Sequence, residues 1–138
     1  MTDITGQLEN AQQIEVFVSG PEDANRLYLC TGMAQAYLGA YNDPNGANQT
    51  FTFRIGPTLT RTQMVRATAS VAFASTNIYE FSSPSWYSFG LQNVEADWDD
   101  ESGQVEVRFE VYATSQNLSA TVSKVSYQVS ILAALPAA

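Results

Sequence analysis

Apolar and polar residues alternate along three segments of the chain. Residues 65–73, 105–113 and 125–133 carry apolar side chains at odd positions and mostly polar or charged ones between them. A period of two residues is the signature of a β-strand with one buried face. Each segment therefore predicts a strand whose odd-numbered residues face the core.

Shorter or interrupted alternation predicts further strands. Residues 14–19 and 49–55 repeat the pattern over a few positions. Within residues 86–98, the alternating apolar positions are odd from Tyr87 to Leu91 and even from Val94 to Trp98. A slip of one residue is what an inserted residue produces, so we expect a β-bulge near Gln92 and Asn93.

The segment Asp43-Pro44-Asn45-Gly46 predicts a tight turn, because Pro suits the second turn position and Gly the last. We expect this turn to join residues 36–42 to residues 47–55 as a hairpin.

Residues 20–38 support two interpretations. Gly20-Pro21-Glu22-Asp23 is typical of a helix start, with Pro at the first helical position and acidic residues in the first turn. The alternation at residues 27–31 and the turn that follows favour a strand instead. We expect a strand, preceded by one helical turn at residues 21–25.

About six to seven short strands with turns between them indicate an all-β fold, a single antiparallel β-sandwich spanning residues 1–138. A closed barrel is the alternative. A chain of 138 residues is long enough for one domain to bury its own core.

Composition excludes several kinds of chemistry. The chain has no His and one Cys, so His-dependent triads and His-ligated zinc sites cannot form within it, nor can an intrachain disulfide. We expect no enzymatic activity, and a buried, inert Cys30. Fourteen acidic residues against six basic ones disfavour binding to nucleic acid.

The chain has no apolar run long enough for a membrane helix, and its first residues are polar and acidic. We therefore expect no membrane insertion, and either a cytoplasmic location or release without a signal peptide.

Acidic side chains cluster near the middle of the chain, at Glu95, Asp97, Asp99, Asp100 and Glu101. Asp97, Asp99 and Glu101 alternate like the first ligands of a calcium loop. The pattern departs from an EF-hand, since Gly103 takes the seventh position rather than the sixth and Arg108 stands where Glu is required. A solvated hairpin tip and a Ca²⁺ site are both compatible with this segment, and we expect no other cofactor.

Aromatic residues suggest a binding site. Trp86 and Tyr87 follow a Ser- and Pro-rich segment at the junction between a loop and a strand, where exposed rings can stack on a ligand. The alternative is that they cap the open end of the sandwich. Arg61, from a segment rich in basic residues, is the third candidate ligand-binding residue. Trp98 falls on the same predicted strand face as Val94 and Ala96, and this predicts that its side chain lies in the core.

The order of features in residues 54–133 resembles the H-type lectins. The alternating residues 65–69 lead to Trp86-Tyr87-Ser88-Phe89, then to the acidic turn with Trp98 and to a final Val-rich strand. The resemblance implies a sandwich that trimerises and binds a sugar or a cell surface. No residue of this chain matches the sugar-contacting residues of that family position by position.

These observations favour a non-enzymatic binding or adhesion module, carbohydrate being the candidate ligand, that acts as a homo-oligomer. The alternative is a structural subunit of a larger homo-oligomeric assembly, such as a ring, a fibre or a phage or bacterial tail-type particle.

Overall fold

The computed structural model describes residues 3–18 and 25–134, and within them it contains eight β-strands and no helix. The all-β prediction is confirmed, although the strands number eight rather than six to seven. Their bounds are β1 (Ile4–Thr5), β2 (Leu8–Val18), β3 (Asn25–Tyr41), β4 (Ala47–Ile55), β5 (Met64–Glu80), β6 (Trp86–Trp98), β7 (Val105–Gln116) and β8 (Leu118–Ala134).

The strands form two four-stranded sheets rather than one closed barrel. Sheet A has the order β1-β4-β7-β6, and sheet B has the order β2-β3-β8-β5. Every pairing is antiparallel except the short parallel contact of β1 with β4. This arrangement is that of a β-sandwich, with one face of each sheet turned towards the other.

The core lies between the central strands of the two sheets. Odd-numbered residues are buried from 105 to 115 on β7 and from 125 to 133 on β8, as their alternation predicts. The ring of Phe53 lies 4.7 Å from that of Tyr127 across the two sheets, and 6.2 Å from that of Phe109. Burying a side chain such as Phe contributes about 1.5–3 kcal/mol, so these rings are a main source of stability.

The prediction for residues 65–73 is wrong at its first position. Val65 is exposed, because Met64 pairs with Ala133 and Arg66 pairs with Leu132, which leaves Val65 as an extra, bulged residue. The other predicted core positions are only partly buried, because β5 is the edge strand of sheet B.

The turn at residues 43–46 is confirmed, and the hairpin is wrong. The Gly46 amide donates to the backbone oxygen and to Oδ1 of Asp43, at 3.2 and 3.0 Å. The flanking strands do not pair, however, since β3 pairs with β2 and β8 while β4 pairs with β1 and β7. The turn therefore carries the chain from sheet B to sheet A.

The strand interpretation of the ambiguous segment is confirmed from Asn25 onwards. The helix start at residues 20–23 and most of the helical turn at residues 21–25 lie outside the described residues, as does position 19 of the predicted 14–19 strand. The predicted bulge is confirmed, since the pairing of β6 with β7 shifts between Gln92 and Glu95. Cys30 is buried, and burial raises the pKa of its thiol.

None of the described residues forms a helix that is long and apolar enough to cross a membrane.

Candidate functional site

Trp86 and Tyr87 are half-exposed at the start of β6, and they point to opposite sides of sheet A. Trp86 lies opposite Gln116, whereas Tyr87 lies opposite Ser115, which is buried between the sheets. Successive residues of a strand alternate between its faces, so these two rings cannot form one flat surface. The Tyr87 ring instead contacts the ring of Phe89 at 5.5 Å, along the side of the sandwich.

Arg61 lies at the other end of the molecule. Its guanidinium is 5.9 Å from the ring of Trp98, the last residue of β6, and Trp86 is the first. A strand of this length spans about 40 Å. The structure therefore does not bring Arg61 together with Trp86 and Tyr87.

Trp98 lies at the margin of the core rather than inside it. Its side chain is partly exposed, and its Nε1 donates to the backbone oxygens of Leu59 and Gly103, at 3.0 and 3.2 Å. These bonds tie the loop before β5 to the turn after β6. Trp98 thus closes one end of the sandwich, so the prediction of a core position is only partly met.

The acidic segment runs from the end of β6, which carries Glu95 and Asp97, into the hairpin turn before β7, which carries Asp99, Asp100 and Glu101. One oxygen of Asp99 accepts hydrogen bonds from the amide and the hydroxyl of Ser102, at 3.0 and 2.6 Å. Arg54 lies 3.3 Å from the same oxygen. The hydrogen bonds from Ser102 are the main reason that the pKa of Asp99 lies below its usual 3.8, with a smaller contribution from Arg54.

The geometry gives no support to a calcium site at Asp97, Asp99 and Glu101. Among the residues that the structure describes, no three acidic or thiol side chains lie close enough together to hold a metal ion. The Asp99 carboxylate is occupied by Ser102 and Arg54, and Oδ1 of Asp97 accepts from the amide of Trp98. The Ca²⁺ site stays a prediction from sequence.

Three exposed rings meet at one end of sheet B. Tyr41 ends β3, Tyr79 lies near the end of β5, and Phe81 follows β5. The Phe81 ring centroid lies 4.7 Å from that of Tyr41 and 5.6 Å from that of Tyr79. Tyr41 is 73% exposed, Tyr79 67% and Phe81 41%. We call these three residues the aromatic platform.

The platform forms because two strands flank a small residue. Tyr41 and Tyr79 both pair with Ser119 of β8, one from each side. Residues that are directly opposite in a sheet share a face, and two strand spacings separate the tyrosines by about 10 Å. Phe81 contacts both rings, so the three side chains make a continuous apolar surface.

Asn117 fixes the segment that carries Phe81. Its backbone oxygen accepts from the amides of Phe81 and Ser82, at 2.9 and 3.4 Å, and its side-chain amide donates to the Pro84 carbonyl at 2.8 Å. The backbone amide of Asn117 donates to Oδ1 of Asn42 at 3.0 Å. These bonds join the segment after β5 to the ends of β3 and β7, and a surface positioned in this way loses little entropy when it binds.

Sequence reasoning does not find the platform, because its members are far apart along the chain. Tyr41 precedes Tyr79 by 38 positions, and only the register of both strands against Ser119 brings them together. The available signal was Tyr79-Glu80-Phe81, which places two rings directly before the Ser- and Pro-rich segment.

No protein-family model, curated protein or solved structure matches the chain. The resemblance to H-type lectins therefore stays an expectation.

Proposed function

We propose that the protein is a non-enzymatic binding module that engages neutral glycans through the aromatic platform. The observation that carries this proposal is the contact among three exposed rings at one end of sheet B. Exposed apolar side chains that form a contiguous surface mark binding sites more often than scattered ones do. Each of the two tyrosines also carries a hydroxyl that can hydrogen-bond a ligand stacked on its apolar ring face.

A sugar ring matches the chemistry of this surface. The C–H groups of a pyranose make an apolar face that stacks on an aromatic ring, while its hydroxyls need polar partners around the rim. Ser119 lies between the two tyrosines and offers such a partner. The net charge of −8 favours neutral glycans over anionic ones, which the protein would repel.

Glycan binding tests the proposal. A printed array of neutral mono- and oligosaccharides identifies a ligand, which is then titrated by calorimetry against the wild type and the variants Tyr41→Ala and Tyr79→Ala. We expect each substitution to weaken binding about tenfold or more, the equivalent of about 1.4 kcal/mol, because a stacking face is lost.

Tyr37→Ala is the matched control, since Tyr37 is also on β3 and equally exposed but has no ring contact with the platform. An array without any bound neutral glycan would contradict the proposal, as would an equal loss of affinity in the Tyr37 variant.

A further inference from the structure

The outer faces of the two sheets differ in charge. Sheet A presents charged side chains on all of its longer strands, and several form ion pairs or hydrogen bonds there: Arg54, Glu95, Asp97, Glu106, Arg108 and Glu110. Such a face is well solvated. Sheet B presents mainly apolar, hydroxyl and amide side chains over the half that contains β2.

Four rows of side chains cross this half of sheet B. By the strand register they are Val16, Leu27, Leu132 and Arg66; Ile14, Leu29, Ser130 and Thr68; Gln12, Thr31, Gln128 and Ser70; and Glu9, Met33, Ser126 and Ala72. Arg66 is at the β5 edge. Glu9 is at the border, where its carboxylate lies 2.7 Å from the Lys124 ammonium. We call these rows the sheet B face.

The sheet B face has an apolar end. Ile14 pairs with Leu29, Val16 pairs with Leu27, and Leu27 pairs with Leu132 on its other side. Ile14 is 62% exposed and Leu29 is 36% exposed. An apolar patch of this kind, with polar residues beside it and charge depleted at its centre, has the composition of a protein interface.

The area of the sheet B face suits a modest dimer. Four strands span about 19 Å and four rows span about 27 Å, a footprint of about 500 Å². Two such footprints make about 1,000 Å², which is the least that a biological interface is expected to bury and corresponds to a weak dimer.

We infer that the sheet B face packs against the same face of a second copy of this chain about a two-fold axis. Two molecules that each carry a charge of −8 repel least when they meet through faces with little charge. Sheets pack face to face at about 10 Å, and a two-fold contact uses one patch twice. The charged faces of sheet A then point outwards, away from each other.

This contact leaves the aromatic platform accessible. Leu29 and Tyr41 are twelve positions apart on β3, which corresponds to about 40 Å along the strand. The dimer therefore goes beyond the proposed glycan site, and either can fail without the other.

Sedimentation velocity tests the dimer on the full chain, at protein concentrations from about 1 to about 500 µM, where an interface of this size is expected to associate. The variants are Ile14→Glu and Leu29→Glu, with Phe17→Glu as the matched control. Phe17 is also on β2 and exposed, but it lies on the opposite face, against Arg26 at 4.3 Å. Circular dichroism establishes that each variant is folded.

We expect a concentration-dependent dimer whose dissociation constant rises at least tenfold in the Ile14 and Leu29 variants and stays within threefold of the wild type in the Phe17 variant. A wild type that remains monomeric throughout would overturn the inference. So would an oligomer that Ile14→Glu leaves intact, a stoichiometry of three, or a Phe17 variant that dissociates as readily as the others.

Discussion

Ser115 shows how one side chain can join two sheets. It continues the buried odd-numbered face of β7, and its hydroxyl donates to the Ala40 carbonyl at 2.9 Å and accepts from the Asp43 amide at 3.1 Å. Both partners belong to the segment that leaves sheet B, whereas Ser115 belongs to sheet A. A buried hydroxyl is tolerated when it is hydrogen-bonded in this way.

Ser115→Ala should destabilise the fold by about 1–3 kcal/mol, because it leaves a buried carbonyl and a partly buried amide without their partner. The free energy of unfolding in urea measures the effect. Ser123→Ala is the control, since its hydroxyl makes one long, exposed bond to Ser75. Equal losses in the two variants would contradict the role assigned to Ser115.

At the scale of elements, the sequence predicts the interior strands better than the edge strands. β7 and the second half of β8 lie between two neighbours and pack against the opposite sheet, so their alternation maps directly onto burial. β2 and β5 are edge strands. On β2, Ile14 and Val16 belong to an alternating segment but are exposed on the outer face of sheet B, and on β5 the core-facing residues are only partly buried. An alternating pattern shows which residues share a face of the strand, but it does not show whether another sheet packs against that face.

The turn at residues 43–46 shows a second limit. Its geometry depends on local residues such as Gly46, which has a φ of +90° that glycine adopts without strain. The partners of the flanking strands depend instead on contacts that are distant in sequence. A local signal therefore predicts the turn and not the sheet to which the next strand belongs.

The turn between β6 and β7 should contribute stability that depends on pH. The folded pKa of Asp99 lies below its usual value, so the contribution is present above pH 3.8 and is lost as the pH falls through the folded pKa. Asp99→Asn should lower the urea midpoint at neutral pH, and the difference from the wild type should shrink in acid.

Asp100→Asn serves as the control for that experiment, because Asp100 is exposed in the same turn. A midpoint difference for Asp99→Asn that stays constant down to acidic pH would contradict the prediction.

At the scale of the whole molecule, function depends on what the sheets bring together. Trp86 and Tyr87 are exposed as the binding hypothesis expects, but Arg61 lies far from both. The aromatic platform combines residues from two distant segments, and the sheet B face combines residues from four strands. Composition predicts that the protein is acidic. The register of the strands is what places many charged side chains on the outer face of sheet A and few on the sheet B face.

The position of β8 in the chain has a consequence for the order of folding. β8 follows both β3 and β5 in the chain, and it pairs with both of them along nearly its whole length. During synthesis, β3 and β5 cannot form their pairings with β8 until residues 118–134 have left the ribosome. Folds dominated by such distant pairings form in about milliseconds to seconds rather than microseconds. A ribosome-bound chain that ends at Asn117 should therefore remain sensitive to protease. A chain that also contains β8, and from which the ribosome has been released, should resist the protease.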